Sequence, residues 1–328
     1  EHEMPADGRL FANGFAAGRT FIFDLTTPTA PRLAGEFRDV DGYEHPHSFV
    51  RLANGNVLAS FQMKHTATGM RAGGLVELTP EGALVRSSSA DYAGADTGLR
   101  VYSSGVIPAL DRVVTTSTDM AKDFEASRTV QVWRLGDLAL LHTLTLPHGP
   151  RGDEALFTAE PRLLEDGRTM LVSTFNCGLY LMEGLETGAP SARLVASYPV
   201  KPQRACAIPV VAGRYYLMTV GAQSAVVSLD VSDPAHPREV SRVTFDSTDT
   251  PHWIAMSPDR RRVVVTGYDG MAHVVRMLRF DAATGWLSHD PRFRDAERSA
   301  PGVWLDDKAW PHGGTAKGVP HGAVFTRP

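Results

Sequence analysis

Only two of the 328 residues are cysteine, which excludes a framework of several disulfides such as staples small secreted domains. Cys177 and Cys206 read as buried thiols that pack like small apolar side chains, with Cys206 open to a second role as a soft metal ligand. Long apolar runs are missing too: none approaches the roughly 20 residues that a membrane-spanning helix needs. Positive charge is not in excess, with 33 Lys and Arg against 37 Asp and Glu. No basic stripe offers nucleic acid an electrostatic footprint, so that partner is set aside. Helical periodicity is almost absent. The chain also lacks a G-x-S-x-G elbow, an H-E-x-x-H pair, a Walker A loop and a dinucleotide fingerprint. It opens at Glu1 without a signal-like apolar segment, as a processed protein or a piece of a longer one does. Localisation therefore stays open between a periplasmic or secreted and a cytoplasmic soluble protein.

What recurs instead is a short apolar run, a turn rich in Gly, Asp or Asn, and another apolar run. That is the pattern of many short antiparallel strands. Phe21 through Arg32 aligns with Val227 through Arg238, placing Asp24 on Asp230, Pro28 on Pro234, Pro31 on Pro237 and Arg32 on Arg238. An earlier part of the repeat returns as well. His47 leads to the turn Ala53-Asn54-Gly55, and His252 to Pro258-Asp259-Arg260. Repeat starts fall near residues 2, 47, 102, 159, 205, 252 and 321, with the last supplying only the short strand Gly322-Ala323-Val324-Phe325. This spacing suits propeller blades. The expectation is an all-β fold, a single β-propeller domain over 1–328 with four-stranded antiparallel blades. A seven-blade design whose first blade is incomplete is the primary reading, and six blades the alternative.

In a propeller the innermost strand of each blade lines the central channel, so residues at equivalent starts converge from distant positions. His2, His47, His252 and His321 stand at such starts, the last three each after a proline. Imidazole is the commonest transition-metal ligand, and an all-nitrogen set suits copper, iron, zinc or nickel better than magnesium or calcium. His45 lies two residues before His47 and, on a regular strand, shares its face. Glu44 and Glu160 are the carboxylates nearest to repeat starts, where one can orient a metal-bound imidazole. Tyr102 opens a repeat without histidine and, with Glu160, is expected to act in catalysis. His65 is expected in a loop, as a substrate contact or a surface residue.

With these segments in view, the chain resembles the selenium-binding protein and methanethiol oxidase family over most of its length. Pro46-His47-Ser48, Gly55 to Ser60 and Gly73-Gly74-Leu75 look like the family's His-containing and Gly-Gly strands. Pro108 to Thr118, Val130 to Trp133 with His142 to Leu146, and Val227 to Arg238 follow in the family's order. Pro320-His321-Gly322 falls where the family has its C-terminal Ala-His-Glu. The resemblance implies a seven-bladed propeller and copper-dependent oxidation of methanethiol by O2 to formaldehyde, sulfide and peroxide. His47 and His321 carry over directly, whereas His252 falls where some members have Gln. Family members carry about one more N-terminal blade, and their Cys-rich motif has no counterpart in Glu3-Met4-Pro5-Ala6-Asp7.

The residues thus predict a metal-dependent oxidoreductase acting with O2 on a thiol or other small organic substrate. Copper is the first cofactor choice and iron the second, held by His2, His47, His252 and His321. The alternative is a non-catalytic propeller that binds a ligand or protein partner and keeps its histidines as structural residues. A lactonase-like hydrolase ranks last, because Ca²⁺ at the axis asks for carboxylate and Asn ligands.

Overall fold

The computed structural model describes residues 4–92, 98–120, 127–201, 204–268, 273–306, 308–310, 313–314 and 318–326. The strand Val57–Thr66 shows how the apolar runs set the architecture. Val57, Ala59 and Phe61 enter a cluster with Phe11, Ile22, Tyr43 and Phe49. Leu58, between them, enters another with Leu75, Val101, Val113 and Trp133. Side chains alternate between the two faces of a strand, so a strand that is apolar on both must lie between two other sheets. That requirement stacks sheet on sheet.

Six antiparallel sheets result, the blades of a β-propeller. The first has strands Arg9–Gly14, Arg19–Asp24 and Arg32–Phe37. The second has Tyr43–Arg51, Val57–Thr66, Gly69–Leu78 and Leu84–Ser89. Val101–Ile107, Arg112–Ser117, Thr129–Arg134 and Leu140–Thr145 make the third. The fourth is Thr158–Leu163, Met170–Thr174, Gly178–Glu183 and Ser191–Ser197. The fifth is Val210–Ala212, Tyr215–Val220, Ala225–Asp230 and Arg238–Thr244. The sixth is Trp253–Met256, Arg262–Thr266, Val274–Asp281 and Trp286–His289, with Val303–Trp304 paired to its third strand. Among the described residues there is no α-helix, only three short 3-10 turns.

Among the described residues there are six blades, which corrects the seven-blade expectation in favour of its six-blade alternative. The seventh repeat start heads no strand: residues 318–326 carry no ladder pairing. The segment is pinned by side chains instead, Thr266 Oγ1 donating to the His321 carbonyl at 2.6 Å and Trp253 Nε1 to that of Ala323 at 2.9 Å. The first sheet shows three strands, and His2 lies outside the described residues.

The chain divides into two compact units, one of residues 3–172 and 182–193, the other of 173–181 and 194–328. In the first, hydroxyl and amide side chains stitch neighbouring sheets through their innermost strands. Ser60 Oγ donates to the Tyr102 carbonyl at 2.7 Å, and Thr116 Oγ1 to that of Ala159 at 2.5 Å. Gln62, fully buried, donates to the carbonyls of Val101 and Thr118 and accepts from the Met120 N–H. Farther out, Glu77 accepts from Asn56, Asn54 and Arg86 at 2.6, 3.0 and 2.6 Å. Burial alone would raise the Glu77 carboxyl, but these three donors outweigh it and hold it below the usual range. A carboxyl depressed in the folded state contributes stability above its unfolded pKa and loses it as pH falls through the folded one. Glu77→Gln is therefore expected to flatten the fall in stability below about pH 4.5, measured by urea unfolding across pH, since 4.5 is the carboxyl's ordinary value. An unchanged acid limb would refute this.

The second unit has its own core, in which Tyr215, Leu217 and Val226 pack with Ile254, Val263 and Leu278. It also holds a correction. Cys177 and Cys206 are not free thiols but a buried disulfide, S–S 2.04 Å, across a separation of 29 residues. Cys177 occupies the turn between Met170–Thr174 and Gly178–Glu183, and Cys206 precedes the fifth sheet. The Cys206 N–H donates to the Phe175 carbonyl at 3.0 Å, so the backbone already brings the two thiols together. With its sulfur in that bond, Cys206 has no thiolate to give a metal.

Candidate functional site

In the second unit the repeat brings two of the expected histidines into contact. His252 enters the sixth sheet after Pro251, and its backbone is fixed on both sides. Its N–H donates to the Thr266 carbonyl at 2.8 Å, and its own carbonyl accepts from Ile208 at 3.0 Å. His321 sits on the pinned C-terminal segment. The two Nε2 atoms are 3.1 Å apart. Tyr268 flanks both rings, stacked on His321 with centroids 4.2 Å apart and 5.1 Å from His252. His252 is buried at 9% exposure while His321 faces solvent. One imidazole is thus held by the fold and the other is reachable from outside.

The 3.1 Å spacing restricts the chemistry of the pair. Only one of the two Nε2 atoms can carry a hydrogen, because two N–H groups would face each other. The spacing fits an N–H···N hydrogen bond. It also fits two ligands on one ion: metal–nitrogen bonds of about 2.0–2.1 Å put adjacent donors about 2.9 Å apart at a right angle and about 3.3 Å at the tetrahedral angle. Among the described residues no group of three or more His, Cys, Asp or Glu side chains is placed to hold an ion. His2, the remaining histidine of the set at the N-terminus, lies outside those residues.

The first unit places the other expected residues. His47 stacks on Tyr102 with ring centroids 3.8 Å apart, and the Phe15 ring stands edge-on to it at 6.3 Å. Asn13 Nδ2 donates to the Pro46 carbonyl at 2.6 Å, fixing the approach to His47. Next to Tyr102, Ser103 Oγ donates to Glu160 Oε2 at 2.7 Å, and Arg162 Nη1 donates to the same oxygen at 2.7 Å. Glu160 is buried; its bond from Ser103 links Val101–Ile107 to Thr158–Leu163, while Arg162, on the same strand as Glu160, balances its charge. Glu44 pairs with His65 Nε2 at 3.3 Å. His65 lies within Val57–Thr66, not in a loop. His45 does not share the His47 position: a register shift between Pro46 and Phe49 breaks the alternation, and the His45 backbone is left-handed at φ 55°. Its Nδ1 lies 3.1 Å from the Phe15 carbonyl.

Tyr268 is the residue that reading repeat starts misses. It lies just past Arg262–Thr266, which runs antiparallel to Trp253–Met256 with Thr266 opposite Trp253. The end of a blade's second strand thus returns to the level where its first begins. Phe15, just past Arg9–Gly14 of the first sheet, comes to His47 of the second from a neighbouring blade.

No family model matches the chain, and no curated protein matches it. Solved structures do. The fold is similar to that of a hypothetical selenium-binding protein from Sulfolobus tokodaii, with TM-score 0.72 and 17% identity over 88% of this chain and 76% of that one. A periplasmic gluconolactonase from Pseudomonas aeruginosa gives TM-score 0.58 and 14% identity, covering 82% and 75%. A β-propeller domain from Myceliophteria thermophila gives 0.59 and 14%, covering 88% and 83%. The fold is a β-propeller. At such identities the likeness extends to the fold alone, and one fold hosts many chemistries.

Proposed function

We propose that this chain is a metal-dependent oxidoreductase whose ion, copper first and iron second, is held by His252 and His321. The observation that carries the reading is the pair of Nε2 atoms 3.1 Å apart, one on a buried imidazole and one facing solvent. Two neutral imidazoles with their lone pairs converging suit a borderline transition metal. A bound copper or iron ion supplies one-electron redox chemistry and an open position for O2 or a thiol. The chain's residues do the rest. Thr266 binds the backbones of both histidines, through its carbonyl to His252 and its hydroxyl to His321. Tyr268 covers one side of the rings, which limits how a small organic substrate approaches the pair. The structural likeness to a protein described as selenium-binding agrees with a substrate of the thiol class.

A second reading treats the pair as an N–H···N hydrogen bond that ties the C-terminal segment to the sixth sheet of a non-catalytic, ligand-binding propeller. The Trp253 and Thr266 contacts to that segment favour it. Copper separates the two. Under the proposal, metal-free protein given Cu²⁺ takes up O2 in the presence of methanethiol, and His252→Ala and His321→Ala abolish the uptake. Under the second reading copper produces no uptake, and both variants lose only stability.

A further inference from the structure

The sixth sheet carries a second concave feature that the histidine pair does not use. A cleft of about 720 Å³ is lined by five arginines, three aspartates, Phe280 and two alanines. That volume is typical of small-molecule sites, about 300–1,000 Å³. The charges are not matched pair by pair. Asp259 Oδ1 accepts from Ser257 Oγ at 2.5 Å and from the Arg261 N–H at 3.2 Å. Asp281 accepts from the Ala283 N–H and Thr284 Oγ1 at 2.9 and 2.8 Å. Both carboxylates are thus engaged in shaping turns. Asp290 meets the guanidinium of Arg279 at 2.9 Å.

Arg261 and Arg292 have no ion-pair partner among the described residues, and both are exposed at the cleft. Arg262 stands over the Phe325 ring at 5.8 Å, a contact that uses its charge but none of its N–H donors. Two positive charges remain in excess. The cleft also lies away from the histidines. Arg262 and Thr266 occupy opposite ends of one strand, about 13 Å apart at the usual rise per residue. Phe325 is at the Arg262 end and His321 at the Thr266 end.

We propose that this cleft binds a small polyanion, a molecule with two or more phosphate or carboxylate groups. Guanidinium presents paired donors that match either group bidentately. The open cleft has room for a compact molecule. The site is independent of the oxidoreductase reading and stands or falls separately.

Isothermal titration of the whole chain with pyrophosphate, and separately with citrate, at fixed ionic strength tests it. Saturable binding of at least one anion at one site is expected, weakening as salt rises. The double variant Arg261→Ala/Arg292→Ala is expected to bind at least about tenfold more weakly with an unchanged melting point, since both side chains are exposed. Binding of pyrophosphate alone assigns the phosphate class, citrate alone the carboxylate class, and both a general polyanion site. No saturable heat with either anion, or equal binding by the double variant, would overturn the assignment.

Discussion

Removing the Cys177–Cys206 bridge is expected to lower the unfolding free energy by about 3–4 kcal/mol, the loop-entropy value for a cross-link spanning 29 residues. Both sulfurs are fully buried. The bridge ties the turn after the second strand of the fourth sheet to the segment that enters the fifth. Without it, the Cys206-to-Phe175 backbone hydrogen bond still joins that entry to the turn. Cys177→Ala/Cys206→Ala is the suitable variant, since serine would bury hydroxyls where both residues have no exposure. Urea unfolding of wild type with and without reductant, beside the double variant, measures the difference. The reduced protein and the variant should unfold at the same lower midpoint. Coincident curves for all three samples, or two free thiols in the non-reduced unfolded chain, would contradict the bridge.

Gln62→Leu is expected to cost about 2–4 kcal/mol, because a buried polar group deprived of its partner costs about 1–3 kcal/mol. Gln62 is fully buried and serves two carbonyls and one N–H. Leucine matches its bulk but leaves the carbonyls of Val101 and Thr118 and the Met120 N–H unserved. Gln62→Glu should be at least as damaging, since a carboxylate keeps the acceptor, loses both donors and adds a buried charge. Urea unfolding ranks the three proteins. A stability within about 0.5 kcal/mol of wild type for Gln62→Leu would show that water or relaxed strands replace these bonds. Val101 is next to Tyr102, so the near-ultraviolet dichroism of the His47–Tyr102 stack is expected to change with stability.

Much of the fold was legible because each blade repeats one local pattern. Asn54-Gly55 and Asp166-Gly167 mark the same hairpin in two blades, and six of the seven repeat starts precede sheets. His321 misled for a physical reason. Pro320-His321-Gly322 copies the entry to a strand, but side-chain bonds from Thr266 and Trp253, not a backbone ladder, hold the residues there. The disulfide was illegible for another reason. Its cysteines occupy different parts of the repeat, one a turn and one a blade entry, and only the three-dimensional stacking of successive sheets joins them. The His252–His321 contact was foreshadowed by the equivalence of repeat starts. Tyr268 was not, because it stands at the end of a returning strand, a position the search for starts passes over.

The most direct measurement is the metal content of the chain after loading with Cu²⁺ and removal of excess, by elemental analysis, for wild type, His252→Ala and His321→Ala. About one copper per chain is expected for wild type and almost none for either variant. Binding that persists undiminished in both variants, or wild-type protein that retains no copper, would contradict a metal site at the His252–His321 pair.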